Sequence, residues 1–435
     1  METLYYNGKI VTGEKNIQVI TDGAFIVDQG VITRVGNSSD FSVEQKEINS
    51  INLMGKWVLP GLINTHGHAG MSTLRGYADD MSLQNWLQEK IWPMEMKMDE
   101  ETIKWSSALA MLEMAKSGTT TFLDMYHPFY MDVVGSLVED FGMRATLMNG
   151  MIGLCSEEEQ KGKLELAKRF IETWQDGADG RISTMLAPHS LYTCPPKFLE
   201  AIVDAANMLH VPIHTHMSET EKEVHDCIAT YGKRPAFHLE EIGMFSVPTL
   251  IAHGVHLNKD ELDILYYNDV AISHNPISNL KLGSGIADIT SYMKRGIVVS
   301  LGTDSAASNN NLDMFEEMRT GSLLQKGLHQ DPEVLPVEDA FKMATINGAK
   351  ALRKSRIGTI STGKNADFIT IEAKNKPHLQ PEENMLSHIV NSLSGKDICD
   401  VYVSGNPIVK QGASVTMDEE KIIYEANRVF KKLCS

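Results

Sequence analysis

The middle of the chain alternates short apolar runs with long helical patterns, and this alternation is the feature that most restricts the possible folds. A run followed by a helix, repeated many times, is typical of βα units that build a parallel sheet. Eight runs spread over about 250 residues match the size of a (β/α)₈ barrel. The predicted strands are Trp57–Asn64, Thr120–Asp124, Ala145–Met151, Ile182–Ala187, Val211–Thr215, Thr249–Ala252, Asp269–Ser273 and Ile297–Leu301.

The two ends of the chain differ from the middle. Short strand-like runs broken by Gly, Asn and Asp fill the first 55 residues, and similar runs return at Phe368–Ile371 and Val401–Val403. We therefore predict an α/β fold, a TIM-like (β/α)₈ barrel with a small β-sandwich domain that the N- and C-terminal segments form together. The predicted barrel spans 57–360, and the β-sandwich spans 1–56 and 361–435, the latter with a terminal helix.

The composition of the chain excludes several classes of function. With 57 Asp and Glu against 40 Lys and Arg, the net charge of −17 disfavours a nucleic-acid partner and attraction to anionic lipid. No signal peptide and no membrane-length apolar run is visible. The five cysteines lack Cys-x-x-Cys spacing, which fits free thiols in a reducing compartment. We predict a cytoplasmic protein without a nucleic-acid or membrane partner, and leave open whether it forms a homo-oligomer.

Polar side chains suited to metal binding or acid–base chemistry follow nearly every apolar run of the middle region. In a (β/α)₈ barrel the carboxyl ends of the strands meet on one face, and active sites lie there. One such placement would carry little weight, but its repetition along the chain favours a shared site. The residues are His66, His68, Asp124, His189, His216, Glu219, His253, His274 and Asp304.

The strongest local motif is LPGLINTHGH, residues 59–68. Two histidines at positions i and i+2 of a strand point to the same side, so their imidazole nitrogens can bind one ion. An isolated His-x-His is as readily a pair of hydrogen-bonded polar side chains at a strand end. The preceding Pro-Gly and apolar run favour the metal-ligand interpretation of His66 and His68.

A second histidine pair occurs in VPIHTHMSE, residues 211–219. His216 lies closer to the predicted mouth of the barrel and is the better ligand, whereas His214 is expected one layer below in a supporting position. Glu219 follows the strand end, where a carboxylate beside a metal-activated water is suited to general acid–base catalysis. The alternative for Glu219 is an N-cap of the following helix.

Asp304 and His253 complete the predicted site. Asp304, in LGTDSAASNN, comes off the last strand, where it can bind the metal and accept a hydrogen bond from the water; a structural turn aspartate is the alternative. His253, in IAHG, is expected beside the water, with a purely structural histidine as its alternative. Three imidazoles and a carboxylate suit one divalent ion per subunit, with Zn²⁺ the best fit and Fe²⁺ or Mn²⁺ also compatible. The predicted ligands are His66, His68, His216 and Asp304.

Together these motifs resemble the amidohydrolase superfamily over essentially the whole chain. PGLINTHGH, HMSE, AHGVHL, SHNPISNLKLGSGIA and LGTDSAASNN occur in the order that the family has. Some members hold two metals bridged by a carboxylated lysine after the fourth strand, but this chain has LAPHS at residues 186–190 and no lysine there. The chain therefore resembles the single-metal deaminase branch. Within that branch it is similar to the 5′-methylthioadenosine/S-adenosylhomocysteine deaminases, which share LRGYADDMSLQNWL, WPME and APHSLY.

The resemblance implies a nucleoside substrate and hydrolytic deamination at C6 of its adenine ring, giving the inosine analogue and ammonia. Asp304 and His253 would orient a metal-activated hydroxide and accept its proton, while Glu219 would protonate the ring nitrogen next to C6. Glu95 would hold the ribose hydroxyls, since a carboxylate can accept two hydrogen bonds from a vicinal diol. His189 would contact the nucleoside. The implied substrate contacts are Glu95, His189, Glu219 and Asp304.

The part of the site that would receive the 5′ substituent departs from the family pattern. In some relatives an arginine after the third strand binds the carboxylate of the homocysteine tail, but this chain has Asn149 at that position. Lys161 or Lys163 is the candidate substitute. The sequence therefore leaves open the preference among methylthioadenosine, S-adenosylhomocysteine and adenosine.

Three other functions compete with nucleoside deamination. The nearest is a single-metal amidohydrolase acting on a free base or ring, such as guanine, cytosine or an s-triazine; Glu95 and His189 discriminate, because a free base has no ribose. A nucleic-acid deaminase fits poorly, because the Pro-Cys-x-x-Cys zinc ligands are missing. A non-catalytic scaffold would have little reason to keep the metal residues together with Glu219.

Overall fold

A computed structural model describes residues 2–13, 16–42 and 47–435, and a nine-stranded sheet collects strands from both ends of the chain. We call it the terminal sheet. Ring centroids of Tyr5 and Phe368 lie 5.2 Å apart, so the two chain ends share one apolar core. The prediction of a small β-domain built from both ends is confirmed. Its strands are Thr3–Thr12, Gln18–Asp28, Val31–Asn37, Asn49–Asn52, Trp57–Pro60, Phe368–Ile371, Ile398–Val403, Asn406–Lys410 and Ala413–Ser414.

Parallel strands of the middle region form a barrel. The first and eighth strands meet where the Thr65 N–H donates to the Leu301 carbonyl at 3.0 Å, and a bridge between Leu186 and Ile213 joins the fourth to the fifth. The predicted (β/α)₈ barrel is confirmed. Its strands are Leu62–Asn64, Thr119–Tyr126, Arg144–Met151, the interrupted pair Ile182–Thr184 and Ala187–Pro188, then Ile213–Met217, Thr249–His253, Ala271–His274 and Val299–Leu301.

The prediction of Trp57–Asn64 as a single barrel strand is wrong. Its first half, Trp57–Pro60, pairs with Thr3–Thr12 and Phe368–Ile371 in the terminal sheet, and only Leu62–Asn64 belongs to the barrel. Gly61 lies between the halves, where a Cβ would fall 2.1 Å from the Thr120 hydroxyl, so only glycine permits this close approach. One apolar run therefore supplies strands to two sheets.

Helices cover the outside of the barrel, and their ends carry the expected signals. The Ser156 hydroxyl accepts the Glu159 N–H in a capping box, and Gly142 ends a helix at φ +78°. The long helices are Glu100–Lys116, Met131–Phe141, Glu157–Trp174, Pro196–Leu209, Glu221–Tyr231, Lys259–Tyr267 and Met314–His329, with shorter ones at Pro235–Glu241, Ile289–Arg295, Val337–Met343, Ile346–Ala351 and Met385–Asn391.

The terminal helix Glu419–Cys434 packs against the barrel helix Glu100–Lys116. Ile422 and Val429 on one face of it are buried, which is the pattern of an amphipathic surface helix. Ion pairs at its two ends, including Lys432 with Asp99 at 2.7 Å, fix its position. Within the described residues, the structure has no helix of the length and apolarity that a membrane crossing requires.

Candidate active site

The predicted metal ligands lie together at the carboxyl ends of the barrel strands. Asp304 Oδ1 lies 3.4 Å from His66 Nε2 and 3.2 Å from His68 Nε2. His216 Nε2 lies 3.4 Å from His68 Nε2. Two overlapping groups form, His66 with His68 and His216, and His66 with His253 and Asp304, and within each group the ligand atoms lie within 4.8 Å of one another. These side chains are close enough to share one ion.

A hydrogen-bond relay fixes the tautomer of His66. His214 Nδ1 lies 2.9 Å from the Leu250 carbonyl, which can only accept, so His214 donates with Nδ1 and accepts with Nε2. His66 Nδ1 lies 2.9 Å from that nitrogen and donates to it. His66 Nε2 therefore carries a lone pair, and it is buried without a hydrogen-bond partner among the described residues. Such orphaned buried atoms are rare in native proteins and call for an explanation.

The other two imidazoles have the same tautomer. His68 Nδ1 donates to the Met125 carbonyl, and His216 Nδ1 donates to the His189 carbonyl at 2.6 Å. In its neutral form each ring therefore directs the Nε2 lone pair towards the other ligands. Three lone pairs converging beside a carboxylate repel one another unless a cation lies between them, and tying the distal nitrogen is how proteins orient metal-bound histidines. The donor set fits a divalent metal.

The electrostatics of the four side chains favour a positive charge at their centre. Burial lowers the pKa of His66 to about 4 and holds that of His216 well below its ordinary value. Burial also opposes charge on His68, yet the Asp304 carboxylate raises the His68 pKa to about 8. Burial alone would raise the pKa of Asp304, but the His66 and His68 rings hold it well below its usual range. Asp304 is thus an anion that favours a positive charge beside it, either a proton on the His68 ring or a metal ion in place of that proton.

Two serines hold the far oxygen of Asp304. The Ser278 hydroxyl donates to Asp304 Oδ2 at 2.5 Å and the Ser308 hydroxyl at 2.9 Å. Oδ1 is left for the histidines. Ser278 belongs to the SHNPISN motif and Ser308 to SAASNN; both motifs are visible in the sequence, but the contact of each serine with Asp304 is not.

Glu219 and His253 lie beside the histidine cluster. His253 Nδ1 donates to Asn279 Oδ1 at 2.8 Å, so its Nε2 is unprotonated and lies 3.7 Å from Glu219 Oε2. The Glu219 carboxyl is buried, and burial raises its pKa. The Ser284 hydroxyl lies 3.4 Å from Glu219 Oε1. Glu219 therefore holds a proton more readily than an exposed glutamate does.

Backbone strain is concentrated at this site. Ser218, His253 and Asp304 all have positive φ, at 53°, 74° and 60°, and each follows or ends a barrel strand. Such conformations cost roughly 1–3 kcal/mol each in a non-glycine residue and persist where surrounding contacts enforce them. The Glu223 carboxylate supplies such contacts, because it accepts the N–H groups of Ser218 and Glu219, both at 2.8 Å.

A cavity of about 810 Å³ opens above the cluster. His68, His216, Glu219, His253 and Asp304 form its polar floor. One wall is the π-helix Trp86–Ile91, a rare form that occurs mainly at functional positions. The remaining wall is largely aromatic and aliphatic, and includes Trp92, Tyr126, Phe129, Tyr130, Leu154 and Tyr192. A flat heterocycle with a hydrophobic substituent matches this combination of a polar floor and apolar walls.

Glu95 and His189 both line the cavity. Glu95 ends the short helix Trp92–Glu95; burial raises its pKa, and the Tyr126 hydroxyl beside it acts in the opposite direction. His189 follows the fourth strand with Nδ1 3.1 Å from the Thr193 hydroxyl, and burial lowers its pKa to about 3. The structure thus places an acidic group and a neutral imidazole in the cavity lining.

Asn149 and Lys163 have different positions relative to the cavity. The Asn149 side chain donates to the Pro128 carbonyl at 3.0 Å, and it is not among the residues that line the cavity. Lys163 does line it, from the helix Glu157–Trp174, with Nζ 2.7 Å from the Ile152 carbonyl. Lys163 is the only lysine or arginine among the described lining residues.

Two residues from the sequence pattern take no part in the cavity lining. His274 is buried with both ring nitrogens unpartnered among the described residues, and it packs near Gly321 of an outer helix. Asp124 accepts the Ala69 N–H at 2.8 Å and so holds the segment after His68. Asp124 lies within the strand Thr119–Tyr126 and His274 ends the strand Ala271–His274, and the alternation of side chains directs both away from the cavity.

Comparison with known proteins finds similar sequences and structures. The chain is 51% identical over 436 residues to the 5-methylthioadenosine/S-adenosylhomocysteine deaminase of Halalkalibacterium halodurans, covering 100% of this chain and 99% of the relative. A zinc-bound adenosine deaminase from Xanthomonas campestris is 31% identical with a TM-score of 0.91, covering 99% of this chain and 98% of that one.

A zinc-bound atrazine chlorohydrolase from Arthrobacter aurescens TC1, 22% identical with a TM-score of 0.90 over 98% of this chain and 100% of that one, shares the fold alone. The model of the amidohydrolase family matches residues 57–408, which include the whole barrel and every predicted ligand. The chain therefore belongs to the amidohydrolase family.

Proposed function

We propose that this protein is a metal-dependent aminohydrolase that deaminates 5′-methylthioadenosine and S-adenosylhomocysteine at C6, giving the inosine analogue and ammonia. The observation that carries the proposal is the convergence of three unprotonated Nε2 atoms and the Asp304 carboxylate beside Glu219, on the floor of a largely apolar cavity. The relative that is 51% identical over the full chain is named for this reaction.

The metal is proposed to be a single divalent ion, with Zn²⁺ the best fit to three imidazoles and one carboxylate. Its ligands would be His66, His68, His216 and Asp304. The buried, unpartnered Nε2 of His66 supports this assignment, because no described protein group satisfies it. When bound, such an ion supplies hydroxide at neutral pH by lowering the pKa of water towards about 7.

Glu219 is proposed as the proton donor to the adenine ring. Burial raises its pKa, so it holds a proton more readily than an exposed glutamate. Delivery of that proton to the ring nitrogen next to C6 lets the ring accept an electron pair without becoming an anion. Glu219 lies 3.7 Å from His253 Nε2. The two groups can therefore act on two different atoms bonded to C6, the ring nitrogen and the attacking oxygen.

His253 and Asp304 are proposed to hold the attacking water and accept its proton. Asn279 fixes His253 with Nε2 unprotonated, and the serines on Asp304 Oδ2 leave Oδ1 free to accept. That proton then passes to the leaving amino group as the C6–N bond breaks, so that ammonia departs as a neutral molecule, and the C6 hydroxyl returns its proton to the Glu219 carboxylate as the carbonyl forms. Each side chain is held by neighbours before substrate binds, which reduces the cost of orienting it.

Glu95 and His189 are proposed to recognise the nucleoside, Glu95 through the ribose hydroxyls. A carboxylate can accept both hydrogen bonds of a vicinal diol. Asp304 and Glu219 would contact the adenine ring from the floor of the cavity. The 5′ substituent would extend along the apolar wall towards Lys163, whose ammonium group suits the carboxylate of the homocysteine tail and is not needed by a methylthio group. A cytoplasmic location stays a prediction.

The test is ammonia release by the purified, metal-loaded protein with six compounds compared side by side. These are methylthioadenosine, S-adenosylhomocysteine, adenosine, adenine, guanine and cytosine. We expect turnover of the two thioether nucleosides and none of the free bases. Turnover of a free base with the nucleosides inert would keep the amidohydrolase site and overturn the substrate, and an atrazine-type ring gives a further check of that alternative.

A further inference from the structure

A second large cleft lies at the opposite end of the barrel from the histidine cluster. Its volume is about 900 Å³. It is bounded on one side by the start of the third barrel strand and the loops 179–181 and 353–357, and on the other by turns of the terminal sheet at 29–31 and 403–406. Sites of small-molecule binding are common in clefts of this size between structural units.

Cationic side chains dominate the charged groups of this cleft, although the chain as a whole carries a net charge of −17. Asp179 is the only acidic residue among the described lining residues. The cations are Arg144, Arg181, Arg353, Lys354 and Arg356.

Three of the five cations have partners within the protein. Arg144 Nε lies 2.9 Å from Asp367 Oδ2 in a buried ion pair. Arg353 pairs with Asp269 at 2.5 Å. Arg181 donates to main-chain carbonyls, including that of Met143 at 3.3 Å, and forms no direct ion pair with a carboxylate of the described residues.

Lys354 and Arg356 have no side-chain partner among the described residues. Lys354 is half-buried in the cleft wall, and burial together with the charge of Arg144 lowers its pKa to about 8, against the opposing effect of the Asp176 carboxylate. A half-buried ammonium without a direct ion pair is unfavourable, because it loses water without gaining a contacting anion. An anion in the cleft would supply that counter-charge to Lys354, Arg356 and Arg181 together.

We propose that this cleft binds a phosphate-bearing anion, either free polyphosphate or the phosphate groups of a nucleotide. Several cations around one cleft favour a ligand with two or more negative charges over a carboxylate with one. The volume exceeds that of an orthophosphate, so the ligand has room for further phosphates or a base and ribose. This site is separate from the histidine cluster and does not rest on the deaminase assignment.

The test is isothermal titration calorimetry of tripolyphosphate, orthophosphate and ATP into the full-length, metal-loaded protein. The key variant is Lys354→Met with Arg356→Gln, and the matched control is Lys197→Met with Arg169→Gln, which removes the same charges from exposed positions outside the cleft. We expect tripolyphosphate or ATP to bind, the cleft variant to bind at least about tenfold more weakly, and the control to bind as wild type does. Deamination should be equal in all three proteins.

The two sources of phosphate are separated by their relative affinity. ATP binding tighter than tripolyphosphate points to a nucleotide, and equal affinity points to the polyphosphate chain alone. Arg356→Gln alone is the second variant, because this exposed side chain can be changed without disturbing the fold. No binding to wild type at about 10 mM ligand, or equal binding by wild type and both cleft variants, would overturn the proposal.

Discussion

The two ends of the barrel present opposite electrostatic properties to a ligand. At the carboxyl end, carbonyls and His214 fix Nδ1 of His66, His68 and His216 as the donor, so their Nε2 atoms converge at a position that suits a cation. At the amino end, Lys354 and Arg356 keep their charges without partners among the described residues, beside the neutralised pair of Arg144 and Asp367. One end is prepared for a positive ligand and the other for a negative one.

This difference shows that the barrel fold alone does not determine the charge of the ligand that binds at either end. The strand ends only bring side chains together. What they bind depends on whether a neighbouring group removes or leaves their charge, as the Leu250 carbonyl does for His214 and thereby for His66. Changes that act on one end alone should therefore leave the other unaffected.

The largest effect is expected from loss of the metal. Dialysis against a chelator, or His216→Ala, should remove both the bound ion and ammonia release, because the remaining ligands hold the ion less tightly. Added Zn²⁺ should restore the chelated wild type but not the variant at the same concentration. Metal content by mass spectrometry, read together with ammonia release, checks this. Full turnover by protein without detectable metal would contradict the account.

A smaller loss is expected from Glu223→Gln. The amide has one oxygen for two N–H donors, so the strained Ser218–Glu219 peptide loses part of its support and Glu219 shifts. We expect kcat to fall by about 10- to 100-fold with little change in KM, since small misplacements of catalytic groups cost that much.

Glu221→Gln is the matched control for Glu223, because it lies in the same first turn of the helix but is exposed. It should leave kcat unchanged. If Glu223→Gln lowers only the melting temperature, and kcat stays at the wild-type value, the role of Glu223 is structural and its positioning role is excluded.

Lys163→Met should separate the two thioether substrates. We expect kcat/KM for S-adenosylhomocysteine to fall by about tenfold, as for loss of one partly exposed charge-assisted contact. The value for methylthioadenosine should not change, since its methylthio group carries no charge. Lys161→Met, on the same helix but exposed and outside the cavity lining, is the control. Equal losses on both substrates would show that Lys163 acts on the fold of the cavity and not on the tail.

The smallest effect on turnover is expected from Asp367→Asn, at the other end of the barrel. This change leaves the buried Arg144 guanidinium without its anion. The free energy of unfolding in urea should fall by about 3–5 kcal/mol, while ammonia release by the folded variant stays at the wild-type rate. Asp204→Asn, an exposed aspartate on a barrel helix, is the control for stability. A large loss of turnover in folded Asp367→Asn would show that the two ends of the barrel are coupled and do not act independently.

Much of the fold and the position of the candidate ligands could be predicted from residues close together in the sequence. His66 and His68 lie two apart on a strand, and Glu219 and Asp304 directly follow strand runs, so strand geometry brings them to one face. The division of Trp57–Asn64 between two sheets was not predictable, because it depends on contact of Gly61 with Thr120, which lies far along the chain.

The rest of the site depends on contacts that leave no pattern in the sequence. The tautomers of His66, His68 and His216 are set partly by main-chain carbonyls of Leu250, Met125 and His189, and every residue has a carbonyl. The cationic cleft at the amino end of the barrel was not predicted from the sequence for a related reason. Its cations come from segments that are far apart in the chain and carry no common motif.

The most direct test of the central claim is ammonia release from methylthioadenosine by Glu219→Gln, with metal content measured on the same sample. We expect wild-type metal content and a turnover lower by about 10²- to 10⁴-fold, because the variant keeps the ion but cannot protonate the ring. Loss of the metal along with turnover, or near-normal turnover with the metal bound, would contradict the role of Glu219 as the proton donor beside the histidine cluster.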